Sequence, residues 1–211
     1  MVYDSYILEL KNIVPDNLCD EIIKLFESDT LHKCDETSKN GITTEPFSFI
    51  DGTLRCDIPE QKSISVKIET FMEEALVQYS NMCINRKIDV KMSSSQNTVL
   101  QSYFNIAKFT LGRITKYTPG HYFNWHSDVS TNDIRLLACI IYLNDVGDDD
   151  GGRTSFISGR SIKPEKGKIL IFPSQLNYIH RGELLKNGVK YIVTSFLTLP
   201  NQHNINSFIP M

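Results

Sequence analysis

The chain has 211 residues, of which 41% are hydrophobic and 22% charged, with a net charge of -3. That is enough chain for one domain with a full core, and the balance is that of an ordinary soluble protein, not of a disordered or membrane-embedded one. No Lys/Arg-dense stretch accompanies the pI near 6.0, so the electrostatic footprint of a duplex-binding protein is missing and nucleic acid is not an expected partner.

The opening Met1-Val2-Tyr3-Asp4-Ser5 lacks the basic-then-apolar pattern of a signal peptide, and no apolar run reaches the length of a spanning helix. A cytoplasmic protein without membrane contact is expected. Cys19, Cys34, Cys56, Cys83 and Cys139 form an odd set with no CxxC pair, which argues for reduced thiols and against a disulfide framework or a zinc ribbon.

In chain order, Leu18, Ile22, Leu25 and Phe26 follow Pro15-Asp16 at helical spacing and predict an amphipathic helix, with Asp16 placed to cap it. Residues 28 to 60 are polar and turn-rich, interrupted by Pro46 and Pro59, and predict loops with short strands at most. Ile64, Ile68, Phe71, Ala75, Leu76 and Tyr79 predict a second helix of about four turns. The tract Met92 to Asn97 reads as a loop, after which the period shifts from 3.6 towards 2. Strands are predicted over Ile114 to Tyr117, Ile134 to Leu143, Thr154 to Ile157, Lys168 to Phe172 and Val189 to Leu199, separated by Gly/Asp/Pro turns. Many short strands behind a helical front suggest a sandwich or jelly roll.

The chemistry gathers in the second half. In Trp125-His126-Ser127-Asp128 the residues i and i+2 of an extended segment share a face, so an imidazole and a carboxylate can reach one metal ion. His180 supplies a second imidazole. Two histidines and one carboxylate form a facial triad that leaves positions of an octahedral Fe(II) open to a chelating acid and dioxygen, whereas zinc favours a closed tetrahedral set. Ten residues beyond His180, Lys190 interrupts the apolar strand Val189 to Phe196. A lysine in such a strand calls for an anion, because a buried cation is costly without one. The acidic run Asp145 to Asp150 lacks the ligand spacing of an EF-hand and reads as a solvated turn.

Tyr117, Gly120, Phe123, His126 and Asp128 fit the pattern Y-x-x-G-x-x-Y/F-x-x-H-x-D. Tyr142-Leu143-Asn144-Asp145, then Gly151-Gly152-Arg153-Thr154-Ser155-Phe156, then Pro164, Gly167, Leu170, Phe172, Pro173 and Ser174, and finally His180 with Lys190, follow in the same order. Over Tyr117 to Phe196, with a weaker echo at Tyr6 to Pro15, the chain thereby resembles the 2-oxoglutarate/Fe(II) oxygenase superfamily and, within it, the prolyl 4-hydroxylase group. Arg153, where glutamate is commoner, is the one departure.

The resemblance implies a mainly β, α+β fold: a double-stranded β-helix (jelly roll) with N-terminal helices packed on one sheet. It implies one oxygenase domain over 1–211, with helical support in 1–100 and a catalytic core of about 110–200. His126, Asp128 and His180 would hold Fe(II), and Lys190, Tyr117, Tyr142 and Thr154 would bind 2-oxoglutarate, with ascorbate as supporting reductant. Arg135 corresponds to an arginine that helps hold the peptide substrate, although a solvated strand-end arginine is an equal reading of the sequence. His121 and Trp125 border the motif without an assigned role. The implied reaction consumes O2, releases succinate and CO2, and hydroxylates a peptide or protein residue, first of all prolyl. Hydroxylation of another residue or a free amino acid, or a silent jelly-roll binding module, are the alternatives.

Overall fold

The structure, a computed structural model, describes residues 2–28, 33–37, 48–54, 58–85 and 94–200. A 3-10 turn (Val2–Tyr6) leads into β1 (Leu8–Leu10), α1 (Asp16–Glu27), β2 (Lys33–Thr37), β3 (Ser48–Thr53), α2 (Pro59–Asn85) and α3 (Ser94–Ile106). Nine strands follow: β4 (Lys108–Phe109), β5 (Arg113–Tyr117), β6 (Phe123–His126), β7 (Ile134–Tyr142), β8 (Thr154–Phe156), β9 (Ser161–Ile162), β10 (Ile169–Pro173), β11 (His180–Gly182) and β12 (Lys190–Leu199). Among the described residues they form a large sheet of order β1-β10-β7-β12-β5-β3-β2, with β4 also on β12, and a small sheet of order β6-β11-β8-β9. Every pairing is antiparallel. Two facing antiparallel sheets make the expected jelly roll.

The central strands of the large sheet are apolar on both faces because both are covered. Cys139 and Ile141 of β7, Ile169 of β10 and Val193 of β12 pack with Leu18, Ile22 and Phe26 of α1 and Ile64, Ile68 and Met72 of α2. Their neighbours Ala138, Ile140, Tyr142, Leu170, Phe172 and Ile192 turn inward and meet Phe156 and Ile162 of the small sheet. The period of 2 thus separates one layer that fixes the helices from another that walls the space between the sheets.

The predicted strands are all present, shifted by a residue at some ends. Asp16 is the first residue of α1 and not its cap; Pro15 holds the cap position, with no side-chain hydrogen bond. Pro59 opens α2 instead of interrupting it, as suits a residue with no N–H to leave unpaired. That helix runs over 27 residues, well beyond the four turns that the apolar period marks. Residues 94–97, read as a loop, begin α3, while Met92 and Ser93 lie outside the described residues. Cys19, Cys83 and Cys139 are free thiols. No helix among the described residues is long and apolar enough to cross a membrane.

Candidate metal centre and adjoining cavity

Between the sheets lies a cavity of about 530 Å3. One wall comes from the inward residues of β12, with Lys190 at one end, then Ile192, Thr194 and Phe196. On the other side β6 and β11 pair so that His126 stands directly opposite His180, with ring centroids 4.2 Å apart. Aromatic edges fix both imidazoles: Phe123 lies 4.1 Å from His126 and Phe172 4.8 Å from His180, centroid to centroid.

Asp128, two residues past the end of β6, completes the group. Its Oδ1 is 3.6 Å from His126 Nε2 and its Oδ2 3.6 Å from His180 Nε2, and one ligand atom from each of the three residues lies within 4.8 Å of the others. His126 Nδ1 is 2.7 Å from the Asn124 carbonyl and His180 Nδ1 3.0 Å from the Tyr178 carbonyl. A carbonyl can only accept, so Nδ1 carries the proton in both rings and each Nε2 offers a lone pair towards Asp128. Burial, helped at His126 by the neighbouring His180, lowers both imidazoles to about 4, and burial also raises the Asp128 carboxyl. Three electron-pair donors therefore converge with no proton held between them, which is the donor set and electrostatic state that a divalent cation relieves. Two nitrogens and one carboxylate oxygen suit Fe(II) with open positions.

This burial has a measurable consequence for the metal-free protein. Between pH 6.5, the ordinary histidine value, and about 4, the unfolded chain protonates both histidines while the folded one does not, so stability falls as pH drops through that window. The raised Asp128 opposes this at its acidic end. Urea unfolding at about pH 7 and about pH 5.5 should give a lower midpoint at the acidic value, and His180→Asn should reduce the difference. Equal midpoints in the parent protein would contradict neutral, buried imidazoles.

At the far end of the cavity Lys190 is 2% exposed. Its Nζ donates to the Gly152 carbonyl at 2.9 Å and sits 4.1 Å from the centroid of the Tyr117 ring, with no carboxylate in ion-pair range among the described residues. Burial pulls its ammonium down to about 7, against a weaker upward pull from Glu183. Tyr117 and Thr154 line the same end. Tyr142 lies behind Thr154, fully buried, and donates its phenol proton to Thr154 Oγ1 at 2.7 Å. It meets the cavity through that hydroxyl.

Arg135 lines the opposite end, stacked 3.9 Å over the Phe196 ring and tied to Asp133 Oδ2 at 3.2 Å. This is a fixed orientation, unlike that of a freely solvated strand-end arginine. His121 accepts the Thr118 N–H on Nδ1 at 3.2 Å in the loop before β6. Trp125 points outward, 42% exposed, under the Arg181 guanidinium at 4.7 Å. The Asp145 to Asp150 turn is tied down by ordinary surface pairs, Asp148 with Lys163 at 2.8 Å and with Arg153 at 3.3 Å.

The stretch from β5 to β12, which carries every one of these side chains, matches the family model of the 2OG-Fe(II) oxygenase superfamily over residues 112–198. This match takes in somewhat less than half of the chain. The matched model is named for Fe(II) and 2-oxoglutarate, and His126, Asp128 and His180 are a group that could hold a metal ion. Procollagen-lysine,2-oxoglutarate 5-dioxygenase 2 of Homo sapiens is 35% identical over 104 residues, covering 47% of this chain and 13% of that protein. The 2-oxoglutarate and iron-dependent oxygenase domain-containing protein 3 of Xenopus tropicalis is 30% identical over 94 residues, covering 43% of this chain and 30% of that protein. The chain thus spans only a minor part of the length of these relatives.

Among solved structures, a viral collagen prolyl hydroxylase from Paramecium Bursaria Chlorella virus-1, in complex with 2OG, superposes with a TM-score of 0.62 at 19% identity, covering 95% of this chain and 100% of that one. A Trichoplax adhaerens prolyl hydroxylase, in complex with a peptide fragment of the hypoxia inducible factor oxygen degradation domain, gives 0.62 at 15% identity, covering 92% and 84%. These likenesses establish the shared jelly-roll fold.

Several cavity residues escape a reading of the sequence by motif alone: Thr115, Ile140, Ile192 and Thr194 all line it. The signal for the last two is the period of 2 counted forward from Lys190.

Proposed function

We propose that this chain is an Fe(II)- and 2-oxoglutarate-dependent dioxygenase that hydroxylates a residue of a peptide or protein, releasing succinate and CO2, with a prolyl side chain as the target. Residues 1–211 act as one oxygenase domain. The observation that carries the reading is the pairing of two features in one cavity: three converging donors without a proton between them, and a fully buried lysine whose partners are a carbonyl and an aromatic face.

His126, Asp128 and His180 would hold Fe(II). Lys190, with Thr154 and Tyr117 lining the same end of the cavity, would receive the distal carboxylate of 2-oxoglutarate in a charge-assisted contact. Bound iron and co-substrate supply the oxidising chemistry. Ile140, Ile192 and Phe196 keep water from the reacting centre. Arg135, held over Phe196, faces the substrate main chain.

Sequence and structure point to different target residues. The identity to a procollagen-lysine dioxygenase favours a lysyl target, while the fold neighbours are prolyl hydroxylases. The cavity favours the prolyl reading: Asp128 is its only carboxylate among the described lining residues, and as a metal ligand it is not available to a substrate ammonium. Incubation of prolyl and lysyl peptides with Fe(II), 2-oxoglutarate and ascorbate, followed by mass spectrometry, should show a gain of one oxygen on proline with matching succinate. Oxidation confined to lysine would establish the second reading. Metal and 2-oxoglutarate binding without oxidation of any peptide or free amino acid would leave a silent binding module.

A further inference from the structure

The last residues of β7 leave an unusual gap beside Lys190. The β7–β12 ladder reaches Ile192 opposite Tyr142, and Leu143 adds one more bond by donating its N–H to the Tyr191 carbonyl at 3.0 Å. The chain then turns away into the acidic turn, so on this side the Val189 carbonyl and the Tyr191 N–H have no strand to pair with. The Asn144 side chain takes that strand's place. Its Oδ1 accepts the Tyr191 N–H at 2.7 Å and its Nδ2 donates to the Val189 carbonyl at 2.7 Å. Nδ2 also reaches the Asp145 carbonyl at 2.9 Å. An amide carries one acceptor and two donors, and all three are used. On the other side Lys190 pairs with Tyr117 of β5.

We infer that Asn144 is a positioning residue for the co-substrate: by spanning the peptide groups on either side of Lys190 it fixes where that lysine leaves the sheet, and so where its ammonium meets the distal carboxylate. The inference rests on the proposed role of Lys190. Gly152 holds the other end of the side chain. With φ of 66°, a conformation that favours glycine, it turns its carbonyl onto Nζ, and a Cβ there would lie 2.9 Å from Leu185 Cδ1 and 3.6 Å from Lys190 Cδ. A long side chain with a clamped base and a held tip loses little further freedom when the carboxylate arrives, which is the benefit of preorganisation.

The test uses the full chain loaded with redox-inert Mn(II), titrated calorimetrically with two ligands. One is 2-oxoglutarate; the other is 2-oxopentanoate, which can chelate in the same way but ends in a methyl group. Asn144→Ala should weaken 2-oxoglutarate binding on the order of tenfold, leave 2-oxopentanoate and Mn(II) affinities unchanged, and have no further effect in a Lys190→Ala background. Asn144→Asp keeps the acceptor for Tyr191 but sets a carboxylate oxygen against the Val189 and Asp145 carbonyls, and should weaken 2-oxoglutarate at least as much as alanine does while sparing 2-oxopentanoate; it carries the test should the alanine variant not fold. Equal weakening of both ligands, unchanged 2-oxoglutarate binding, or full additivity with Lys190→Ala overturns the inference. If Lys190→Ala itself binds 2-oxoglutarate as the parent does, the reading of Lys190 falls, and this inference with it.

Discussion

Lys190→Ala is expected to weaken 2-oxoglutarate binding by at least about thirtyfold, since truncating one partner of a buried charge pair costs roughly 2–5 kcal/mol. Mn(II) affinity should hardly move, because Lys190 lies at the opposite end of the cavity from the histidines. Lys190→Arg should be milder, limited by how a planar fork fits a pocket shaped for a point charge. The same lysine predicts a pH effect in the parent protein. Burial places its free ammonium at about 7, and an arriving carboxylate raises that value, so binding above neutrality takes up a proton. Affinity for 2-oxoglutarate should therefore decline as pH rises above about 7, by up to about tenfold per unit, and the decline should vanish in Lys190→Ala. Calorimetry in buffers of differing ionisation enthalpy measures both the affinity and the proton uptake. A parent affinity that is flat from about pH 7 to about pH 9 would contradict a partly deprotonated Lys190.

Asp128→Ala should reduce metal affinity by more than about a hundredfold, exceeding the usual cost of losing an outer-sphere partner. The fold itself should not suffer. Asp128 is a buried carboxylate whose pKa is raised by that burial, so its removal relieves a desolvation cost in the metal-free protein. His180→Ala should lose metal to a similar degree, but with an additional loss of stability, because the ring packs against Phe156 and Phe172 and its deletion leaves a cavity. Equilibrium dialysis against Mn(II) together with urea midpoints separates the two effects. Metal retention near the parent level in Asp128→Ala would show that the carboxylate is not a ligand.

The side chains of the site were more legible in the sequence than the strands that carry them. His126 and Asp128 stand out through their i, i+2 spacing, and Lys190 through its presence in an apolar strand; both signals are local. The strands β6 and β11 have no such signal. Phe-Asn-Trp-His and His-Arg-Gly are four and three residues long, too short for a period of 2 to register, and their pairing across His126 and His180 is a tertiary fact. The long β7 and β12, covered on both faces, announce themselves as apolar runs. Helix α2 was only partly visible because the apolar period marks the part that faces the sheet, Ile64, Ile68, Met72 and Ala75, and exposed Val66 and Val77 blur it. Asn144 belongs to a recognisable motif, but its role depends on where β7 ends relative to β12. No feature of the sequence reports that.

In the proposed function His126, Asp128 and His180 hold a metal which, together with Lys190, binds 2-oxoglutarate. The most direct measurement is an anaerobic calorimetric titration of the full chain with 2-oxoglutarate, first loaded with Fe(II) and then stripped with a chelator. One equivalent should bind to the loaded protein, with affinity collapsing after the metal is removed and in Asp128→Ala. Binding of equal strength with and without metal, or none in the loaded protein, would contradict the account.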